Sequence, residues 1–167
     1  DKVDVAIATG ECEQTRWGFQ ELLGKGGVNI AQPDLGYCGG PTEALKIRAL
    51  AASYGVNTLP HCWGTQLNLS CATHFLATSY VEPGRAEPAE PLLEKDHTPN
   101  PMRDDMFAVG MQLRDGAVTV PVAPGLGVEP DRAAVRTFCV QTTESSHAEQ
   151  HVPHAHQRAD RTVERVN

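Results

Sequence analysis

Residues 28–60 read VNIAQPDLGYCGGPTEALKIRALAASYGVNTLP, and this stretch decides the fold class. A short apolar run, 28–32, is followed by a glycine-rich turn and then by a segment of helical character, 41–54. A second apolar run, 56–60, begins directly after Gly55. A strand, a helix and a strand in this order are typical of two parallel strands that are joined by a crossover helix.

The predicted helix over 41–54 has sequence signals at both of its ends. Pro41 suits the first helical turn, Glu43 favours the positive end of the helix dipole, and Gly55 is able to close the C-terminus. We expect its apolar face to be formed by Leu45, Ile47, Leu50, Ala51 and Tyr54.

The same alternation extends to both sides of this unit. Residues 3–8 and 91–95 are predicted as further strands, and 15–24 and 65–78 as helices, each with a threonine available as N-cap. Residues 80–91, rich in Pro, Glu and Gly, are predicted as a loop. The pattern predicts an α/β fold, either a doubly wound sheet such as a flavodoxin-like binding domain or part of a (β/α) barrel. A complete barrel of eight strands usually needs about 250 residues, more than this chain has.

The C-terminal part of the chain has a different character. LRDGAVTV at 113–120 predicts a hairpin with an Asp-Gly turn, and 124–131 is a turn-rich connection. From residue 141 the sequence is polar and holds four of the seven histidines, which favours a disordered tail over a metal site. We therefore expect a folded unit over 1–140 and a polar, His-rich tail over 141–167.

Composition excludes several classes of protein. The 167 residues contain 14 Lys and Arg against 21 Asp and Glu, a net charge of −7, which argues against a surface for nucleic acid or anionic membrane. No run approaches the ~18 apolar residues of a membrane span, and the start does not resemble a signal peptide. The five cysteines are odd in number and include no CxxC pair, which favours reduced thiols over a disulfide framework or a zinc site. We expect a cytoplasmic protein.

One ionisable residue follows each predicted strand. These residues are Glu11, Asp34, His61 and Glu94, and they are 23, 27 and 33 positions apart, close to one strand–helix unit each. Parallel strands bring their carboxyl ends to one face, where active sites of α/β proteins lie, so the four side chains are predicted to converge. Taken singly, each residue is more often a helix cap, a solvated loop residue or a structural histidine.

Such a set suits proton transfer near a metal ion. Glu11 could offer an oxygen ligand to Mg²⁺, and His61 could act as a general acid or base. Asp34, if adjacent, would fix the tautomer of the imidazole ring. Glu94 could donate a hydrogen bond to a developing oxyanion, provided that it is protonated.

Five segments, in order and with matching spacing across residues 5–136, carry a family resemblance. They read IATGECEQTRWGF, NIAQPDLGYCGGPTEALKIRALAASYGV, PHCWGT, EPLLEKDHTPNPMRDD and DGAVTVPVAPGLGVEPD. These segments resemble the enolase superfamily, in its mandelate racemase-like branch, and within that branch the acid-sugar dehydratases and galactarolactone cycloisomerases. The resemblance implies the C-terminal half of a TIM-type barrel, with strands five to eight of the family pattern.

The resemblance also implies a role for each strand-end residue. It assigns Glu11 as a Mg²⁺ ligand after the fifth strand, Asp34 and His61 as the Asp–His dyad after the sixth and seventh, and Glu94 as the acid that binds the substrate carboxylate. The implied reaction is dehydration of an aldonate or aldarate through α-proton abstraction, an enediolate and β-elimination of water. A cycloisomerase or racemase of the same branch, or a catalytically inactive half-barrel, remains an alternative.

The sequence departs from the family pattern at its start. The capping domain, the second-strand lysine base and two further metal carboxylates have no place here, and Lys2 and Lys25 lie in the wrong positions to replace that base. We therefore expect the chain to need the missing N-terminal half or another subunit, to form a homo-oligomer when complete, and to be inactive alone.

Weaker signals support no site of their own. Gly24–Gly27 lacks the spacing of a phosphate-binding loop, and Gly125–Gly127 lacks the third glycine of a dinucleotide-binding turn. Trp17 and Trp63 lie next to the predicted site, either lining a substrate pocket or buried between helix and barrel.

Overall fold

Three strands and three helices alternate along the first half of the chain. The computed structural model describes residues 4–79 and 91–140. The elements in order are β1 (Ala8–Thr9), α1 (Thr15–Lys25), β2 (Ile30–Ala31), α2 (Pro41–Ser53), β3 (Asn57–Thr58) and α3 (Gln66–Ala77). The strands form one parallel sheet in the order β1-β2-β3, in which Ala8 pairs with Ile30 and Ala31 with Thr58. The predicted α/β alternation with parallel strands is confirmed.

Helix α2 lies almost where the sequence predicts it. It begins after Gly40, whose φ of 87° is a conformation that glycine adopts readily, and Pro41 occupies the first turn. It ends at Ser53, one residue before the predicted end. Its buried face is different from the predicted one, because Leu45 and Tyr54 are exposed. The buried residues are Ala44, Ile47, Arg48 and Ala51.

Arg48 is the unexpected member of this buried face. Its Nη1 donates to the Phe75 carbonyl at 3.3 Å, and its Nη2 donates to the Thr78 carbonyl at 3.1 Å. The guanidinium carbon lies 4.7 Å from the centre of the Phe75 ring. Arg48 therefore ties α2 to the C-terminal end of α3, where the last carbonyls of a helix have no partner within the helix.

The helices pack around one main core. Arg16 of α1 binds Glu43 of α2, with Nε 2.9 Å and the backbone N 3.0 Å from Oε1. The backbone N–H and then the guanidinium of Arg16 hold the pKa of the Glu43 carboxyl below its ordinary value. The buried core consists of Phe19, Leu23, Ala31, Leu35, Cys38, Ala44, Ile47, Ala51, Val56 and Phe75.

The two predicted threonine caps have different outcomes. Thr65 is the N-cap of α3, and its side chain accepts a hydrogen bond from the Leu67 backbone N–H, as predicted. Thr15 is instead the first residue of α1, with a φ of 57°, and Gln14 is the N-cap without a side-chain hydrogen bond.

The predicted fourth strand is wrong. Residues 91–95 belong to no strand, and β3 pairs only with β2 in the described part of the chain. Pro91 has no N–H to donate to a ladder, and this segment is held through a side chain, since Gln32 donates to Glu94. The other three predicted strands are present but are two residues long.

The predicted hairpin is confirmed. Strands β5 (Leu113–Arg114) and β6 (Ala117–Val118) pair antiparallel, and Asp115 and Gly116 between them both have positive φ. This conformation at both turn residues is the one that an Asp-Gly pair favours.

Four short elements of the C-terminal part were not predicted. They are α4 (Pro101–Asp104), β4 (Phe107–Val109), β7 (Glu129–Pro130) and α5 (Arg132–Phe138), with β4 and β7 paired antiparallel. The predicted loop, apart from Pro91, and the predicted tail over 141–167 lie outside the described residues. Within the described ranges, every helix is too short or too polar to cross a bilayer.

Candidate active site

Three of the four predicted site residues meet at one edge of the parallel sheet. Glu11 follows β1, Asp34 follows β2 and His61 follows β3, each two or three residues beyond its strand. Because the three strands run parallel and in consecutive order, these residues emerge at the same edge.

His61 stands between two carboxylates. Its Nδ1 lies 2.8 Å from Asp34 Oδ2, and its Nε2 lies 3.1 Å from Glu11 Oε2. The side chains of His61 and Asp34 are 19% and 12% exposed, whereas that of Glu11 is 56% exposed. Each ring nitrogen of His61 therefore lies within hydrogen-bond distance of a carboxylate oxygen.

Asp34 is held by two further donors. The Gly36 backbone N–H donates to Oδ1 at 2.8 Å, and Asn68 Nδ2 lies 3.1 Å from each carboxylate oxygen. Asn68 lies in the first turn of α3. The sequence did not point to Asn68, because an asparagine at the start of a helix carries no signal of its own. The predicted start of this helix is the only sequence feature that places Asn68 near the end of β3.

Glu94 joins this edge from the segment that follows residue 90. Gln32, which directly follows β2, donates from Nε2 to Glu94 Oε2 at 2.9 Å. Burial first, and then the charges of Asp34 and Glu94, raise the pKa of the Cys62 thiol to about 12. The hydrogen bond from Gln32 is the contact that brings Glu94 to this edge.

The buried cysteines offer no nucleophile at this edge. Cys38 and Cys62 are buried, Cys71 is partly buried, and Cys12 and Cys139 are exposed. Burial raises the pKa of Cys38 to about 11 and raises that of Cys71 as well. A protonated thiol is a poor nucleophile and a poor metal ligand, so the buried thiols are packing groups.

The described residues do not form a Mg²⁺ site by themselves. Mg²⁺ takes an octahedral set of oxygen ligands. No group of three or more His, Cys, Asp or Glu side chains in residues 4–79 and 91–140 is arranged to hold a metal ion. Glu11 brings a single carboxylate, and its Oε2 faces His61.

Arg103 orders the chain just after Glu94. Its Nη1 donates to the Asp96 carbonyl at 2.7 Å, its Nη2 donates to the Thr98 carbonyl at 2.9 Å, and both Nε and Nη2 bind Asp104 at 2.8 Å. Hydrogen bonds from Thr98, and then the charge of Arg103, lower the pKa of the Asp96 carboxyl. A buried guanidinium with several partners fixes the path of this loop.

The two tryptophans near the site are exposed. Trp17 is 68% exposed and Trp63 is 63% exposed, so burial between helix and barrel is wrong for this chain. Trp63 contributes its carbonyl, which lies 3.4 Å from Asn68 Nδ2.

Comparison with known proteins yields consistent relatives. A family model described as "Enolase C-terminal domain-like" matches residues 1–134. D-galactarolactone cycloisomerase from Agrobacterium fabrum is 40% identical over 134 residues, which are 80% of this chain and 35% of that protein. The solved structure of 3,6-anhydro-D-galactonate cycloisomerase from Zobellia galactanivorans has a TM-score of 0.72 at 38% identity, covering 81% of this chain and 36% of that one.

A proposed dehydratase from Salmonella Typhimurium is also similar, with a TM-score of 0.67 at 31% identity over 81% of this chain and 32% of that one. The chain thus spans about a third of the length of these relatives.

Proposed function

Because this chain belongs to the enolase superfamily through its C-terminal barrel domain, we propose that it supplies the Asp34–His61 pair of an enzyme that dehydrates sugar acids. The observation that carries the proposal is the 2.8 Å contact between His61 Nδ1 and Asp34 Oδ2 at the ends of neighbouring parallel strands. The proposed reaction removes the α-proton of an aldonate or aldarate and then expels the β-hydroxyl as water.

In this proposal His61 is the general acid of the second step. Asp34 engages Nδ1, so the opposite nitrogen, Nε2, which contacts Glu11 in this structure, is the one that exchanges a proton with the substrate. As the bond between the β-carbon and its oxygen breaks, the proton on Nε2 passes to that oxygen, and water leaves. General acid catalysis of this kind contributes about 10²- to 10⁴-fold to a rate.

Glu94 is proposed to bind the substrate carboxylate. Gln32 occupies Oε2 of Glu94 as a donor, which leaves Oε1 to face the substrate. A carboxylic acid that is kept protonated can donate a hydrogen bond to an enediolate, whose negative charge grows on the former carboxylate oxygens.

In this proposal, a working enzyme requires more of the barrel than this chain supplies. We define the complete barrel as this chain together with the part of the barrel that its relatives have and it lacks, on the same polypeptide or on another chain. We propose that the complete barrel is a homo-oligomer that uses Mg²⁺ with Glu11 as one of several ligands, and that the base for the α-proton lies outside this chain. This chain alone is expected to be inactive.

A cycloisomerase is the second candidate, and one observation favours it. The relatives at 40% and 38% identity are both named cycloisomerases. The chemistry has the same first half, since an α-proton is removed and a β-oxygen departs. If the departing oxygen is part of a ring in the substrate, it stays attached to the molecule, and the product is an isomer instead of a dehydrated acid.

Product analysis distinguishes the two candidates. The complete barrel is incubated in D₂O and Mg²⁺ with a panel of aldonates, aldarates and their lactones, and the products are followed by proton NMR and mass spectrometry. A dehydratase gives a product that has lost one water, whereas a cycloisomerase gives a product with the atoms of the substrate. If no member of the panel loses its α-proton or is converted, the proposed function is wrong.

A further inference from the structure

The side-chain amide of Asn68 donates hydrogen bonds to Asp34 of the Asp34–His61 dyad. Its Nδ2 lies 3.1 Å from both Asp34 oxygens and 3.4 Å from the Trp63 carbonyl. Neither Glu11 nor Glu94 is among its described partners. Asn68 therefore contacts Asp34, which binds Nδ1 of His61 on the side of the ring opposite to the proposed reacting nitrogen, Nε2.

Three groups orient the Asp34 carboxylate, and they contact its two oxygens from different sides. Gly36 N–H holds Oδ1 at 2.8 Å, and His61 Nδ1 meets Oδ2 at 2.8 Å. Asn68 bridges the two oxygens and so resists rotation of the carboxylate about its last bond. The carboxylate is 12% exposed, so little water is available to replace a lost donor.

We propose that Asn68 is a positioning residue that keeps Asp34 aligned with His61 Nδ1. The proposal rests on the proposed function for its kinetic consequence, but its structural part does not. Without the amide, Asp34 rotates more freely, the Nδ1 hydrogen bond is populated less, and the His61 ring is held less firmly in the orientation that presents Nε2 to the substrate.

A role limited to starting helix α3 is separable from this proposal. Thr65 already caps α3 by accepting a hydrogen bond from the Leu67 N–H. If Asn68 served only the helix, its substitution would lower the melting temperature and leave the state of the His61 ring unchanged. If it positions Asp34, the state of the His61 ring changes as well.

The test uses the complete barrel with ¹⁵N-labelled histidine and the variants Asn68→Ala and Asn68→Asp. Asn68→Asp keeps the shape of the side chain and replaces the donor by a second carboxylate. The matched control is Leu67→Ala, an exposed neighbour on the same helical turn. The downfield Nδ1–H resonance of His61 is assigned by its loss in His61→Asn, and kcat and KM are measured for a converted substrate.

We expect the resonance to broaden or vanish in both Asn68 variants and to persist in Leu67→Ala. The value of kcat should fall by about tenfold or more in the Asn68 variants while KM changes by less than about twofold.

An intact Nδ1–H resonance in Asn68→Ala overturns the proposal, as does a kcat equal to that of the control. If Asn68→Ala does not fold, Asn68→Asp decides by the same criteria. A wild-type barrel that converts no sugar acid refutes the proposed function only, because the NMR comparison still decides the role of Asn68.

Discussion

His61 Nδ1 lies 2.8 Å from Asp34 Oδ2, although the two residues are 27 positions apart in the sequence. The ladder between β2 and β3 has the same offset, since it pairs Ile30 with Asn57 and Ala31 with Thr58. Continued three residues beyond the strands, that register places Asp34 opposite His61. The dyad is thus a consequence of strand register, and Asn68 and Gly36 then fix the orientation of the carboxylate.

Replacement of Gly10, which precedes Glu11, is predicted to destabilise the folded state. Its φ is 118°, and a Cβ at this position would lie 2.7 Å from Cε1 of the buried Phe19 ring. We expect Gly10→Ala to lower the free energy of unfolding by about 3 kcal/mol, as the sum of backbone strain and overpacking. Chemical denaturation of the complete barrel measures this loss.

Gly26→Ala is the matched control for Gly10→Ala. Gly26 also has a positive φ, 74°, but no atom lies within 4 Å of the added Cβ. Its ψ of 179° places Gly26 in a region that is essentially restricted to glycine, so only backbone strain remains, and we expect a loss of about 1–2 kcal/mol. Equal losses in the two variants would show that contact with Phe19 is unimportant.

The exposed and the buried cysteines are predicted to react with thiol reagents at different rates. At neutral pH, a thiol reagent should modify the exposed Cys12 and Cys139 rapidly and the buried Cys38 and Cys62 only on unfolding. Peptide mapping by mass spectrometry identifies the modified sites. Rapid modification of Cys62 in the folded protein would contradict the described packing.

The same thiols predict a loss of stability at alkaline pH. The pKa of Cys62 is raised from 9.0 to about 12 and that of Cys38 to about 11, so the folded state disfavours both thiolates. In the unfolded state these thiols ionise near pH 9, so unfolding becomes more favourable as pH rises from 9 towards 11. The urea midpoint should fall across this range and fall less in Cys62→Ala than in wild type, whereas Cys12→Ala should behave as wild type.

Mg²⁺ binding is predicted to depend on residues beyond this chain. Because Glu11 is one carboxylate without a described cluster around it, we expect this chain alone to bind Mg²⁺ with a Kd of about 1 mM or weaker. In the complete barrel, Glu11→Gln should weaken binding by about tenfold or more. Calorimetric titration measures both, and tight binding by the chain alone that Glu11→Gln abolishes would contradict the expectation.

The sequence allowed the sheet and the ionisable part of the site to be predicted, for a physical reason. Parallel strands deliver their C-terminal ends to one edge, so residues in phase with the strands identify the edge. The fourth strand was wrong because a short apolar run such as 91–95 does not reveal whether a partner strand accepts it. The β4–β7 pairing was missed because it joins residues about 20 positions apart without a local turn signal.

The amides and the buried cation were missed for a different reason. Asn68 and Gln32 act through side-chain hydrogen bonds to carboxylates, and such contacts leave no periodic trace in a sequence. Arg48 lies on the buried face of α2, where its guanidinium donates to the Phe75 and Thr78 carbonyls at the end of α3. A hydrophobic pattern assigns such a position to the surface.

A double-mutant cycle on kcat tests the central claim that Asp34 and His61 act as one unit. Wild type, Asp34→Asn, His61→Asn and the double variant are compared in the complete barrel with a converted sugar acid or lactone. We predict that each single variant loses about 10²- to 10⁴-fold in kcat and that the double variant loses little more than His61→Asn alone. Losses that multiply in the double variant, or a wild-type rate in either single variant, would contradict the account.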